Sequence, residues 1–189
     1  MKRIVLTACA AAACAAGSAA AAPVQFADNG HWYELITPAA GVTWAQAQAA
    51  AEATSVAGAI GHLATITSAE EWAFVDGTVN PTGARAWLGG TDDAAFGTVE
   101  GAWIWAVGPE AGDAFTFTAW GVGEPNNSGT ENFLEGWWNP TWNDIPGTSV
   151  LGSYVVEYSA AVSDVPLPAA APLALVGLAA LGFIGRRKG

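Results

Sequence analysis

GEPNNSGTEN, running from Gly123 to Asn132, reads at first as a turn, because proline, asparagine and glycine are what a turn needs. A turn does not need Glu124 and Glu131 on either side of them. Two carboxylates and three amides in ten residues make a dense set of oxygen donors. A little further on, Trp142-Asn143-Asp144 adds another carboxylate and another amide. Whether these oxygens converge decides both the fold and the function, so the rest of the chain is read around them.

The two ends are unlike the middle. Met1 to Ala22 opens on Lys2 and Arg3, continues through Ile4, Val5, Leu6 and an alanine run, and ends in small residues before Pro23. A charged start, an apolar middle and a small-residue exit are the marks of a secretory signal, with cleavage expected near Ala21 or Ala22. At the other end Val165-Pro166-Leu167-Pro168-Ala169 precedes an apolar run from Ala170 to Gly185, followed by Arg186, Arg187 and Lys188. That run is just long enough for a membrane-spanning helix, and a basic cluster after it stays on the cytoplasmic side. This tail resembles the VPLPA variant of the PEP-CTERM sorting signals of Gram-negative bacteria. The resemblance implies recognition by an exosortase-type protease and delivery to the cell envelope, outer surface or extracellular matrix; tails of this kind are commonly removed. The expected layout is a signal peptide over 1–22, a domain over 23–160, and a linker, sorting motif, transmembrane helix and basic tail over 161–189.

All 17 acidic residues lie between Asp28 and Asp164, where Arg85 is the single basic residue, so this span carries a net charge near −16. With no Lys/Arg footprint for phosphates, nucleic acid is excluded as a partner. The same field disfavours anionic lipid and favours cations. Both cysteines, Cys9 and Cys14, sit in the signal segment, so the domain is exported without a disulfide. Packing, or a bound ion acting by mass action, has to stabilise it. All ten tryptophans fall in this middle part.

Several local signals predict an α+β order. A strand is expected over Phe26 to Leu35. Thr43 caps a helix from Trp44 to about Ala53. His62 to Ile66 is extended, and Ser68-Ala69-Glu70-Glu71 has the form of a capping box opening a second helix through Trp72, Phe74 and Val75. Ala86 to Gly90 is a short apolar strand, and further strands are expected over Ala102 to Val107 and Tyr154 to Tyr158. The segment from about Gly108 to Ile145 reads as a loop too long to be a mere connection.

At this point the chain resembles a C-type lectin-like domain, over about residues 29 to 159. The matching marks stand in the family's order: Trp44 to Ala51, Gly61-His62-Leu63-Ala64-Thr65-Ile66 with Ser68, Trp87-Leu88-Gly89-Gly90, Glu100-Gly101 with Trp103 and Trp105, Glu124-Pro125-Asn126, Trp142-Asn143-Asp144, and the closing strand. The resemblance implies an α+β fold of two helices, short antiparallel sheets and a long calcium-binding loop. The family's four disulfide cysteines correspond to positions near Ala51, Phe133, Gly147 and Val156, so both bridges are missing together.

The resemblance also implies a Ca2+ site whose ligands are Glu124, Asn126, Glu131, Asn143 and Asp144, with Glu135 as the alternative to Glu131. In sugar-binding members the Glu-Pro peptide is cis, and two neighbouring sugar hydroxyls complete the calcium shell. The same five residues are therefore the sugar-binding set, with Glu124 accepting from a hydroxyl and Asn126 donating to one. The Glu-Pro-Asn triplet accompanies mannose- or glucose-type ligands. A second metal position has Asp92, Glu100 and Asn127 as counterparts. The chemistry agrees independently, because calcium takes six to eight oxygens, no cysteine is present to favour a soft metal, and His31 and His62 lie far off in sequence. Trp87, Trp103, Trp105 and Trp142 are expected in the core, whereas Trp120, Trp137 and Trp138 are candidates to stack on a sugar. No nucleophile–base arrangement or nucleotide loop is found, so a catalytic role is not expected. Two functions remain open at this stage: a calcium-dependent carbohydrate-binding module, and a module of the same fold that uses calcium only to hold its loop for a protein or matrix partner.

Overall fold

The computed structural model of the chain describes residues 19–137 and 140–159. The signal sequence up to residue 18, the Trp137 side chain, Trp138, and the expected sorting motif, transmembrane helix and basic tail lie outside what it describes. Among the described residues no helix is long and apolar enough to cross a membrane.

In chain order the elements are β1 (Ala19–Ala20), β2 (Val24–Gln25), β3 (Trp32–Thr37), α1 (Trp44–Glu52), β4 (Ser55–Val56), β5 (Ala59–Ile60), β6 (His62–Leu63), α2 (Ala69–Phe74), β7 (Ala86–Thr91), β8 (Ile104–Trp105), β9 (Phe133–Trp137), β10 (Thr141–Ile145) and β11 (Ser153–Tyr158). The main sheet runs β1-β3-β11-β7-β9-β10, with β2 on β3, β6 on β11 and β8 on β7; β4 and β5 form a separate hairpin. All pairings between these strands are antiparallel except β11 with β7.

The first helix forms where its cap predicts. Thr43 accepts the Gln46 amide, and the Gln46 side chain accepts the Thr43 amide in return, so two orphan donors of the first turn are satisfied. Trp44, Ala47 and Ala51 form its buried stripe. Two indoles then fix α1 against β7: Trp44 Nε1 donates to the Leu88 carbonyl at 2.8 Å, and Trp87 Nε1 to the Val42 carbonyl at 2.9 Å.

β7 is buried along its whole length. Alternation sends Trp87 and Leu88 to opposite faces, and they join different apolar clusters. Each fully buried side chain of this size contributes about 1.5–3 kcal/mol. The two glycines that follow are required by close approach. A Cβ at Gly89 would lie 2.8 Å from Val107 and 2.9 Å from the Leu63 carbonyl oxygen, and one at Gly90 would collide with the Phe115 ring.

The positions that correspond to the family's cysteines are filled by packing. Ala51 and Val156 are both fully buried in one cluster and close on Gly61, where a Cβ would meet the Ala51 carbonyl at 2.6 Å and Val156 at 2.7 Å. At the second pair, the Phe133 ring lies over Gly147 so closely that a Cβ there would be 2.6 Å away.

Two buried carboxylates tie elements together, Glu71 from α2 and Glu157 from β11. Glu71 accepts from the Tyr33 hydroxyl and from the Thr67 amide and hydroxyl. Glu157 accepts from His31 Nδ1 at 2.6 Å and from the Thr65 amide and hydroxyl at 2.9 Å. The bond to Glu157 raises the His31 pKa. Burial pushes Glu157 upward, but the His31 bond, the His62 charge and the Thr65 amide outweigh it and leave its pKa lowered.

Three expectations are corrected. The segment expected as a strand from Phe26 starts only at Trp32, because Phe26 to His31 closes a turn through Phe26–His31 and Gly30–Phe26 backbone bonds. The second helix has only half a capping box: Ser68 accepts the Glu71 amide, but the Glu71 carboxylate turns to Thr67, and the helix widens into a π turn over Val75–Val79. The expected loop from Gly108 to Ile145 ends in the β9–β10 hairpin.

Two outcomes follow for stability. Gly147→Ala should overpack the Phe133 ring and cost about 1–3 kcal/mol in chemical denaturation. A raised folded-state pKa places the His31 contribution fully below pH 6.5, its ordinary value, and removes it as pH rises through the folded value. The destabilisation caused by His31→Gln should therefore be largest in weak acid and shrink above neutrality in thermal melts.

Candidate metal centre

The Glu124–Pro125 peptide is cis, and the flanking side chains meet, with Asn126 Nδ2 donating to Glu124 Oε2 at 2.5 Å. Asp144 comes to the same place from β10. Its two oxygens accept the backbone amides of Asn126 at 3.1 Å and Asn127 at 2.8 Å. The loop then curls back on itself: Ser128 N–H donates to Glu131 Oε2 at 2.8 Å, and Glu131 N–H to Asn127 Oδ1 at 2.9 Å. Closing so tight a loop puts Asn127 at φ 45°, Gly129 at φ 87° and Thr130 at φ 108°. The last is an unfavourable conformation for a β-branched residue, of the kind that tends to gather at functional sites.

β10 is held to this loop by Trp142, whose amide donates to Ala119 at 2.7 Å and whose carbonyl accepts from Gly121 at 2.9 Å. Asn143 follows directly and pairs across the strands with Glu135, donating its Nδ2 to Glu135 Oε1 at 3.0 Å. Glu124, Asn126 and Asp144 thus meet at one turn, Glu131 closes the same loop through Ser128, and Asn143, next to Asp144 in the chain, turns its Nδ2 to Glu135. Glu135, the alternative to Glu131, is fully buried, and its two oxygens accept from Arg85 at 2.7 and 2.8 Å.

Neighbouring carboxylates shift one another's titration here. Burial first, then Asp144 and Glu131, raises the pKa of Glu124. Burial first, then the charges of Asp144 and Glu135, raises that of Glu131 against the opposing Ser128 amide.

Asp92, Glu100 and Asn127 also converge. Asp92 is 2% exposed; its Oδ2 accepts the Gly101 amide at 2.8 Å, while its Oδ1 is buried with no hydrogen-bond partner. The Glu100 pKa is raised, by desolvation first and then by Asp92 and Asp144, with Asn127 opposing. A residue not singled out in the sequence belongs here: Asn132, whose Oδ1 is likewise buried and unpartnered, and whose carbonyl accepts from the Asp92 amide at 3.2 Å and the Thr91 hydroxyl at 2.7 Å. Orphaned buried oxygens are rare, and two of them beside a carboxylate pair fit an oxygen-seeking cation.

His31, Glu71 and Glu157 are another group able to offer metal ligands, with atoms within 4.8 Å of one another. Their oxygens, however, already accept the hydrogen bonds described above. The tryptophans expected in the core are there: Trp87, Trp103, Trp105 and Trp142 are 7% exposed or less. Trp120 is partly buried and packs edge-on against Trp103 and Trp142.

Comparison with known proteins bears on the fold. The chain superposes on the C-type carbohydrate-recognition domain of cow CD23, determined in the presence of a GlcNAc2Man3 oligosaccharide, with a TM-score of 0.58, 27% identity, and coverage of 74% of this chain and 95% of that one. The domain has the C-type lectin-like fold. It is 32% identical over 149 residues to Halomucin of Haloquadratum walsbyi, and 40% identical over 62 residues to the hepatic lectin of Gallus gallus. These matches take in 72% and 32% of this chain, but the chain spans only 2% and 27% of those two proteins. Residues 164–188 match the PEP-CTERM protein-sorting motif family, which implies export and sorting to the cell envelope.

The raised pKa values give a signed expectation for the lectin-like domain without metal. A carboxyl whose folded pKa is raised makes the folded state less stable as pH climbs through that value. In chelator at neutral pH, Glu124→Gln should therefore raise the melting temperature, and the gain should fade in weak acid. With a divalent cation added, the wild type should gain and the variant should not.

Proposed function

We propose that the domain is an exported, calcium-dependent carbohydrate-binding module without a catalytic role. The observation that supports the reading is the clustering of Glu124, Asn126 and Asp144 at the turn of the long loop, with Glu131 in the same loop and Asn143 beside Asp144 in β10. Three carboxylates and two amides are hard oxygen donors suited to calcium. Asp92, Glu100, Asn127 and Asn132, whose Oδ1 is buried, would hold a second calcium at the other side of the Asn127 turn.

Calcium would supply a Lewis-acidic point at which two vicinal sugar hydroxyls replace water. The residues of the chain orient them: Glu124 accepts from one hydroxyl and Asn126 Nδ2 donates to the other. The pairing of the Glu-Pro-Asn triplet with mannose- or glucose-type sugars sets the expected ligand class. The C-terminal motif makes an exosortase-type protease the processing partner, with the apolar segment acting as a membrane anchor until it is removed. A matrix glycan is then a natural target at the cell surface.

Fold alone does not settle function, so the experiment must separate sugar binding from a purely structural calcium. Calorimetric titration with calcium, with and without mannose-type oligosaccharide, should show a calcium heat and then a sugar heat abolished by chelator. Glu124→Gln combined with Asn143→Ala should lose both, weakening calcium by more than the roughly 10–100-fold typical of outer-shell changes. A calcium heat with no sugar heat on any glycan of an array would leave the non-sugar interaction module as the correct reading.

A further inference from the structure

We infer that Arg85 and Glu135 are positioning residues for the metal, acting through the side chain of Asn143; the inference rests on the calcium reading above. Arg85 is the only basic residue between Asp28 and Asp164. It could have met any of the exposed carboxylates. Instead it makes a two-pronged contact with Glu135, Nε to Oε2 at 2.8 Å and Nη2 to Oε1 at 2.7 Å. Glu135 is fully buried, while Arg85 keeps 40% of its side chain exposed. The guanidinium therefore enters from the surface and fixes a carboxylate inside.

That carboxylate has one further partner. Glu135 Oε1 accepts Nδ2 of Asn143 at 3.0 Å, across the β9–β10 ladder. An amide can face a cation with its oxygen or with its NH2 group, and only the oxygen is a ligand. Anchoring Nδ2 on an anion settles the choice and leaves Oδ1 for the metal. A charged acceptor holds the NH2 more firmly than a neutral one, and an uncompensated anion buried here would be costly. Arg85 removes that difficulty. It neutralises Glu135 without spending a charge on the ligands themselves, which need theirs for calcium. The contact also keeps both Glu135 oxygens occupied.

Ordinary structural support and positioning make different predictions. A buried ion pair can be replaced by apolar residues of similar size with little loss of stability. In the full-length chain, Arg85→Met with Glu135→Met should leave the melting temperature in chelator unchanged or higher, yet weaken calcium by about 10–100-fold, the scale of outer-shell partners. The decisive control is the same pair of changes on an Asn143→Asp background. A carboxylate shows an oxygen to the metal in either orientation, so there the pair should weaken calcium no further. Glu135→Gln, which keeps the volume, is the second variant: one oxygen cannot serve both the guanidinium fork and the Asn143 amide, so affinity should fall here too. Calcium affinity within twofold of wild type in both the methionine pair and Glu135→Gln overturns the inference. So does equal weakening by the methionine pair with and without the Asn143→Asp change, which would mean general support. A wild type that binds no calcium overturns the site reading itself, and the inference with it.

Discussion

Two backbone hydrogen bonds at Trp142 hold the long loop to the sheet, and the candidate metal centre depends on them. The Trp142 amide reaches Ala119 and its carbonyl receives Gly121, so the chain entering the Glu124 turn is paired with the strand that delivers Asn143 and Asp144. The indole makes this attachment rigid. It is fully buried and ringed by Trp72, Trp105, Phe115, Phe117 and Trp120 in edge-on contact at 5.5–6.1 Å. Edge-on aromatic pairs each add about 0.5–1.5 kcal/mol beyond the area they bury. The loop is irregular in backbone, but it is anchored beside the oxygen donors by this aromatic cluster.

Charge is distributed with the same economy. The acidic residues divide by their partners. Glu71 and Glu157 are saturated inside by hydroxyls, amides and a histidine. Glu135 holds the only arginine of the domain. Glu124, Glu131, Glu100 and Asp92 have too few donors to be at rest as neighbours. These four lie on the long loop and on the segment from Asp92 to Glu100; on the reading proposed above, a bound cation would satisfy their oxygens and remove their repulsion, coupling binding to conformational order there.

Much of this was legible in the sequence, for reasons that differ by residue. Trp87-Leu88-Gly89-Gly90 can be read because a buried strand with no room for two Cβ atoms has few alternatives. Glu124-Pro125-Asn126 and Asn143-Asp144 can be read because carboxylates and amides around a proline do not serve a plain turn. The β9–β10 hairpin was missed because Phe133 to Trp137 is apolar or buried at successive positions and shows no alternation. Asn132 was missed because only tertiary structure takes its side-chain oxygen out of water. The partners of Arg85 and His31 were also beyond reach: 50 residues separate Arg85 from Glu135, and 126 separate His31 from Glu157. A lone charge in a sequence announces itself but does not name its counterpart.

The contacts of Ala51 and Val156 with Gly61, and of Phe133 with Gly147, replace covalent bonds by shape. Shape has no redox potential. A domain closed in this way has the same stability on either side of a membrane that separates reducing from oxidising solution, and needs no thiol oxidase or isomerase to mature. It also keeps no covalent record of its fold. Once the loop opens nothing tethers it, so its order at any moment is an equilibrium property, set by packing and by the ions the surrounding water supplies.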